Sequence, residues 1–400
     1  MLKGKNIVLA VTGSIAAYKI ANIASALKKL DCKVTVLMTQ NATNFINPIT
    51  FETLTGNKCL VDTFDRNFQY NVEHVSLAKE TDLVLIAPAS ANVIGKLANG
   101  IADDMLTTTI MACECKKLLA PAMNTHMFHN PIVQDNLQKL QNFGYEIIQP
   151  DNGYLACGDI GDGKLPSEDT LMNYILKEVT YDKDLTGKKV LITAGPTIEK
   201  IDPVRFISNH STGKMGYAIA KVCMMRGADV TLVTGKTAIT PPPFVKVVPI
   251  TSAEDMFQAV TSVSAEQDII IKAAAVADYR PATVASEKMK KKDADLTIAL
   301  ERTQDILAYL GAHRTPGQFL CGFSMETENM LANSKGKLEK KNIDMIVANN
   351  LKQAGAGFGT DTNVVTLITK GSVKELPIMD KEQVACALLD DIVAYMASKK

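Results

Sequence analysis

One pattern occurs twice along the chain. Asn6 to Val11 is a short apolar run, Gly13-Ser14 interrupts it, Ile15 to Leu30 carries apolar residues at helical spacing, and Lys33 to Met38 is apolar again. Further on, Lys189 to Thr193 leads into a long loop through Gly195-Pro196 and Ser208 to Gly213, a helical stretch from Met215 to Arg226, and a second apolar run from Asp229 to Thr234. Strand, turn, helix and strand in that order build parallel sheets with helices on both faces. The chain is therefore expected to be α/β, with two doubly wound, Rossmann-like domains. Its 400 residues suffice for two or three domains at about 150 residues each.

The remaining elements fill in each half. Leu83 to Ala87 and Lys117 to Ala120 read as further strands, Ala91 to Ala112 as helix, and Glu168 to Glu178 as a helix closing the first half. Tyr181 to Gly187 is polar, charged and ends in glycine, which marks the boundary between domains spanning 1–180 and 187–400. In the second half, Asp268 to Ala273, Met345 to Ala348 and Val364 to Ile368 read as strands and Lys381 to Ser398 as a terminal helix. The irregular stretch Ala285 to Asp295 is expected to be a mobile loop.

Charge balance limits the partners. Lys plus Arg and Asp plus Glu both number 43, so no global field draws the chain to nucleic acid or an anionic membrane. Val34 to Phe51 is the longest uncharged stretch, but its Thr, Asn, Gln and Pro residues do not suit a bilayer core. The first residues read as a strand rather than a signal peptide. Eight cysteines without a Cys-x-x-Cys pair fit reduced thiols and a cytoplasmic protein.

Several segments in the first half carry chemistry. Gly13-Ser14-Ile15-Ala16 lies between strand and helix, where small residues and free helix N–H groups can cradle a phosphate; a packing turn would look the same. Thr39 ends the second strand and Ser90 follows the third, so three strand ends converge on one crevice. His74 occurs in Asn71-Val-Glu-His-Val-Ser-Leu, Asn124 in Pro121-Ala-Met-Asn-Thr-His-Met-Phe128, and Cys157 in the glycine-rich Asn152-Gly-Tyr-Leu-Ala-Cys-Gly-Asp-Ile-Gly-Asp-Gly-Lys164, expected to be a mobile flap. Taken singly, His74 reads as a surface or capping residue and Asn124 as a turn, while a packed thiol is the alternative for Cys157, although thiols are more often buried in strands than in such loops.

Taken together, residues 4–175 resemble the flavin-dependent phosphopantothenoylcysteine decarboxylases. The resemblance implies catalytic roles for His74, Asn124 and Cys157, with Gly13, Ser14, Ile15, Ala16, Thr39 and Ser90 lining an FMN site; Phe128 stands where the family has tryptophan. Losing carbon dioxide from an alkyl carboxylate requires an electron sink. Oxidation of the thiol-bearing carbon creates one, because the carboxylate then lies β to a C=S group. The implied roles are proton removal for His74, a grip on the carboxylate for Asn124, and delivery of the final proton for Cys157.

The second half offers Ile207-Ser-Asn209-His-Ser-Thr-Gly-Lys-Met-Gly216, which is not a P-loop because Met215 follows Lys214 where Ser or Thr should hold magnesium. Lys272-Ala-Ala-Ala-Val-Ala-Asp278 follows a strand, and Ser286-Glu-Lys-Met-Lys-Lys-Lys-Asp293 is a basic loop whose default reading is a solvated face. With Cys321 to Thr327 and Lys337 to Asn350, these segments resemble bacterial phosphopantothenate–cysteine ligase over about residues 187–400. The whole chain thus resembles the bifunctional ligase and decarboxylase family of coenzyme A synthesis.

That resemblance implies that 4'-phosphopantothenate, cysteine and CTP are the substrates, with an acyl cytidylate between them and magnesium screening the triphosphate. It carries CTP binding onto Lys272, Ala273, Ala274, Asp278, Lys288, Thr303, Gln304, Asp305, Ile306, Phe323, Lys337 and Lys341. Gln304 stands where proline is common. Asn209 falls on the position that handles the acyl cytidylate, and Lys288 on the one that neutralises departing pyrophosphate. The same likeness implies a homo-oligomer in which ligase halves dimerise and decarboxylase halves trimerise, up to a dodecamer. Two other readings compete: a nicotinamide-dependent oxidoreductase, disfavoured by the missing Gly-x-Gly-x-x-Gly, and a non-catalytic flavoprotein, which would not need the His, Asn and Cys set.

Overall fold

An unbroken run of apolar residues from Ile7 to Val11 lets the first strand bury both its faces, and it becomes the second strand of a five-stranded parallel sheet. In the computed structural model, which describes residues 2–64, 73–290, 297–326, 330–350, 357 and 359–399, the chain divides into two compact units, Met1–Asp182 and Lys183–Lys400. Strands of the first unit are β1 (Asn6–Val11), β2 (Lys33–Met38), β3 (Leu83–Ala89), β4 (Lys116–Pro121) and β5 (Glu146–Ile147), ordered β2-β1-β3-β4-β5, with β6 (Asp151–Tyr154) and β7 (Ile160–Lys164) in a separate hairpin. Its helices are α1 (Ile20–Lys29), α2 (Pro48–Thr55), α3 (Glu73–Glu80), α4 (Ala91–Ala98), α5 (Met105–Ala112), α6 (Thr125–Phe128), α7 (Pro131–Asn142) and α8 (Glu168–Val179).

Side-chain alternation splits the core into two layers. Ile7, Leu9 and Val11 pack with Ile20 and Ile23 of α1 and Leu171 and Ile175 of α8. Val8 and Ala10 face the other way, against Ile94 of α4, Leu106 of α5 and Leu140 of α7. Each fully buried aliphatic side chain contributes roughly 1.5–3 kcal/mol, so the sheet is the rigid platform of the unit. The stretch expected as one helix from Ala91 to Ala112 is two, because Asp104 starts α5 afresh: its carboxylate accepts from the Thr107 N–H at 2.8 Å, and Lys96 bridges the break to Asp103 and Asp104.

The second unit contains β8 (Lys189–Ala194), β9 (Glu199–Lys200), β10 (Phe206–Ile207), α9 (Lys214–Met225), β11 (Asp229–Thr234), β12 (Lys246–Pro249), α10 (Ala253–Thr261), β13 (Ile269–Lys272), β14 (Tyr279–Pro281), β15 (Leu300–Arg302) and α11 (Ile306–Ala312). It continues with β16 (Phe319–Glu326), α12 (Met330–Lys340), β17 (Met345–Asn350), β18 (Thr362–Asn363), β19 (Val365–Thr369), β20 (Val373–Glu375), β21 (Met379–Asp380) and α13 (Lys381–Ser398). Its sheet runs β12-β11-β8-β13-β16-β17-β19-β20. The first six strands are parallel, and β19 and β20 extend the sheet antiparallel, a departure from pure doubly wound topology.

The end of the expected boundary segment belongs to the second unit. Leu185 is buried and donates its N–H to Arg226 O, while the Arg226 guanidinium pairs with Asp184. Of the expected mobile loop, residues 291–295 lie outside the described residues; the preceding part is tethered, with the Ala285 N–H bonded to Ile201 O and the Met289 N–H to Asp202. Among the described residues, no helix is long and apolar enough to cross a membrane.

Candidate functional sites

Each unit has a cleft at the carboxyl end of its parallel strands, where open α/β sheets bind ligands. In the first unit a cleft of about 690 Å³ is lined by Gly13, Ser14, Ile15, Ala16, Ser90, Asn124 and Cys157 from the expected set, together with Tyr18, Lys19, Met123, Met127, Tyr154 and Lys164. At the β1 turn the backbone approaches the turn after β2 so closely that a Cβ on Gly13 would lie 2.8 Å from Asn41 Cβ. Ser14 and Ser90 cap the helical turns that follow them, and buried Thr12 links the two strand ends, donating to Pro88 O at 2.6 Å and accepting from the Ser90 N–H at 2.9 Å. Helix-start N–H groups, small residues and apolar walls fit a planar ring bearing a phosphate.

Thr39 and His74 are not among the residues lining this cleft. Thr39 caps the short turn Gln40–Asn44, a supporting position. His74 is half-buried near the start of α3; Asn71 of its motif lies outside the described residues.

Asn124 opens α6, its Oδ1 accepting from the His126 N–H at 2.8 Å. Its Nδ2 reaches Cys157 Sγ at 3.5 Å and Asp159 Oδ2 at 3.2 Å, and the exposed Cys157 thiol donates to the same Asp159 oxygen at 3.3 Å. The expected flap is the β6–β7 hairpin, fastened beside α6 by Met123 N–H to Gly163 O at 3.0 Å and Thr125 Oγ1 to Asp162 O at 2.8 Å. Burial raises the Asp104 carboxyl at the start of α5, but the Thr107 and Lys96 bonds together outweigh it and hold the group below its usual range.

The second unit's cleft, about 340 Å³, is lined by Ala273, Ala274, Asp278, Phe323, Lys337 and Lys341 from the expected set, and by Lys214, Asn349 and Lys381. Lys272 lies at the end of β13, nine-tenths buried, and burial pushes its ammonium down to about 8, with nearby Asp305 and Asp278 countering and Lys341 adding to the shift. Asp305 caps α11 and pairs with Lys341 at 2.8 Å. Thr303 Oγ1 donates to Ala277 O at 2.6 Å, Gln304 is exposed, and the Ile306 side chain is in the core; Lys272 and the turn from Thr303 to Ile306 are not among the residues lining this cleft.

Asn209 braces the wall of the cleft, donating to Ala275 O at 2.6 Å and accepting from the Ser211 N–H at 3.0 Å. Exposed Lys288 is not among the lining residues. The sequence did not single out Lys381, which is buried at the first turn of α13; burial and Lys214 both lower its ammonium. So many lysines around one cleft attract a polyanion. Among the described residues, no three His, Cys, Asp or Glu side chains gather as a metal site.

These two clefts on two sheets define a two-unit α/β enzyme. The Flavoprotein family matches residues 1–180, and the C-terminal domain family of DNA/pantothenate metabolism flavoproteins matches residues 185–396. The chain is 46% identical over 398 residues to the coenzyme A biosynthesis bifunctional protein CoaBC of Bacillus subtilis (strain 168), covering 98% of each. It is 43% identical over 391 residues to the CoaBC protein of Borreliella burgdorferi, covering 97% of this chain and 99% of that protein. A crystal structure of the C-terminal domain of a CoaBC protein is 45% identical, covers 54% of this chain and 100% of that one, and superposes with a TM-score of 0.47.

The chain belongs to the bifunctional coenzyme A biosynthesis family. It is an enzyme that joins phosphopantothenoylcysteine decarboxylase and phosphopantothenate–cysteine ligase activities.

Proposed function

We propose that residues 187–400 activate 4'-phosphopantothenate with CTP and couple it to cysteine, and that residues 1–180 then convert the product to 4'-phosphopantetheine with FMN. The observation that carries the decarboxylase reading is the convergence of Asn124, Cys157 and the Gly13 turn on one cleft. FMN would oxidise the thiol-bearing carbon and later return the hydride. Asn124 Nδ2 would hold the substrate carboxylate until carbon dioxide leaves, and the Cys157 thiol would protonate the resulting enethiolate. Gly13, Ser14, Ile15 and Ala16 would hold the cofactor phosphate, and Ser90 would border its ring. Thr39 would support the phosphate turn from behind. His74 would assist proton removal from a neighbouring copy, in keeping with its place outside this chain's own cleft; trimers of this unit would complete the sites.

In the ligase, the substrate carboxylate would attack the α-phosphate of CTP, releasing pyrophosphate, and cysteine's amine would displace CMP from the acyl cytidylate. Lys337 and Lys341 would bind phosphate oxygens, and the Ala273–Ala274 backbone, Asp278, the Thr303 to Ile306 turn and Phe323 would surround the nucleotide. Lys272 would add charge from beneath the cleft, Asn209 would keep its wall in place around the acyl cytidylate, and Lys288 would swing in as pyrophosphate leaves. Magnesium would be held chiefly by the triphosphate, with Asp278 nearby. Ligase units would pair as dimers, giving a cytoplasmic homo-oligomer as large as a dodecamer.

Incubating the pure protein with 4'-phosphopantothenate, cysteine, CTP and magnesium should yield 4'-phosphopantetheine, carbon dioxide, CMP and pyrophosphate by mass spectrometry. Cys157→Ser should still release carbon dioxide and accumulate the enethiol. Normal product at the wild-type rate from Cys157→Ser would remove the thiol from the mechanism.

A further inference from the structure

The acid at the hairpin tip has no role in the scheme above, yet it touches both of that scheme's central side chains. One oxygen, Asp159 Oδ2, accepts from Asn124 Nδ2 at 3.2 Å and from Cys157 Sγ at 3.3 Å. We infer that Asp159 is a positioning residue that holds the place of the substrate carboxylate on Asn124, and that substrate must displace it to reach the amide. The inference rests on the proposed role of Asn124.

The argument is one of like for like. A carboxylate already hydrogen-bonded to the amide meets an incoming carboxylate of the same charge, and the two cannot share one donor at short range without repulsion. The tip is built to let the side chain leave while its backbone stays. Leu155 N–H donates to Asp159 O at 2.8 Å, and Gly158 N–H to Leu155 O at 3.0 Å, so the turn is closed by its own main chain. Lys19 and Lys164, which line the same cleft, offer the displaced carboxylate a cationic setting. In the resting state Asp159 also keeps the thiol proton directed at itself rather than into the cleft. Exchange of carboxylates therefore frees both the amide and the thiol in one event.

Competition of this kind weakens the grip on the substrate carboxylate, the group that loses its charge as carbon dioxide departs. Removing the competitor should tighten the ground state more than the transition state. With the full-length flavin-bound enzyme and 4'-phosphopantothenoylcysteine, Asp159→Asn and Asp159→Ala should both lower KM about tenfold, with kcat for carbon dioxide release falling several-fold. The carboxylate-free product 4'-phosphopantetheine should inhibit wild type and variants equally. Iodoacetamide should label Cys157 several times faster in both variants, as read by peptide mass.

An unchanged or raised KM in variants that retain bound flavin overturns the inference, as does an equal gain in product affinity. If both variants lose flavin or all turnover, Asp159 supports the hairpin or takes part in chemistry, and the inference is again overturned. If the wild-type enzyme releases no carbon dioxide, the proposed function itself fails, which separates the two outcomes.

Discussion

Gly163→Ala tests whether the hairpin's seat on α6 sets the decarboxylase geometry. A Cβ at this position would lie 2.3 Å from the Met123 carbonyl oxygen, which follows from the same close approach that allows the Met123 N–H to bond Gly163 O at 3.0 Å. Side-chain carbons essentially never come within 3.0 Å of such an atom, so the hairpin must retreat by about 0.7 Å or more. Gly163 also has φ of +113°, where an L-residue is strained by about 1–2 kcal/mol. Together with about 1–3 kcal/mol of overpacking, the first unit should melt about 5–10 °C lower. Cys157 and Asp159 move with the hairpin while Asn124 stays on α6. Misplacement near 1 Å costs on the order of a hundredfold in rate, so carbon dioxide release at a temperature where the protein stays folded should fall ten- to a hundredfold. Gly158→Ala is the control: φ is +91°, but the nearest atom is the Tyr154 hydroxyl at 3.8 Å, and the loss should be no more than a few-fold. CTP-dependent pyrophosphate release should be unchanged in both. Retention of more than half the decarboxylation rate by Gly163→Ala, or an equal loss in Gly158→Ala, would refute the reasoning.

Three further predictions concern the second unit. Lys272 has its ammonium lowered to about 8 by burial, below the usual value of about 10.4, so its charge costs stability below pH 8 and the cost disappears as pH rises towards 10.4. Lys272→Met should therefore melt several degrees above wild type at pH 7, with the gap narrowing by pH 10 in calorimetry. Burial alone would raise the Asp202 carboxyl, but the N–H groups of Val204, Arg205 and Met289 and the Arg205 side chain outweigh it and hold the carboxyl well below the usual range. The stability it adds is present above about pH 4 and lost as acid titrates the folded state, so Asp202→Asn should be less stable at pH 7 and show a flatter acid-denaturation curve. Lys288→Gln should slow acyl cytidylate formation about a hundredfold with the KM for CTP within threefold, and Asp202→Asn, which loosens the adjoining Met289, should reproduce part of that loss in rapid-quench assays.

Much of this architecture is legible in the sequence because the buried parallel strands are nearly continuous apolar runs. β16 is the exception at the heart of the second sheet: Gly322 and Ser324 interrupt its apolar character. A Cβ at Gly322 would lie 2.5 Å from Leu307 Cδ2 of α11, a close helix-on-strand contact that no local pattern announces. Asp104 looks like one more polar residue inside a helical stretch until its capping bonds are seen. Asn124 and Cys157 stand out through their motifs, whereas Asp159 does not. Its partner Asn124 is 35 residues away, and only the seating of the hairpin on α6 brings them together. Lys381 likewise reads as a polar helix start. The fold carries it to the cleft near Lys214, whose ammonium pairs with Asp361.

The Asn124 amide is locked against rotation by the turn it begins. With Oδ1 committed to the His126 N–H, the side chain can present the cleft with hydrogens only, whatever arrives there. Aspartate would cap the same turn but show an oxygen, and so would repel a carboxylate; glutamine has the hydrogens but is a poor cap, and a freely rotating amide would accept either polarity. A single helical turn of four residues thus fixes the electrical sign of the cleft's central contact, independently of cofactor and of the rest of the sheet.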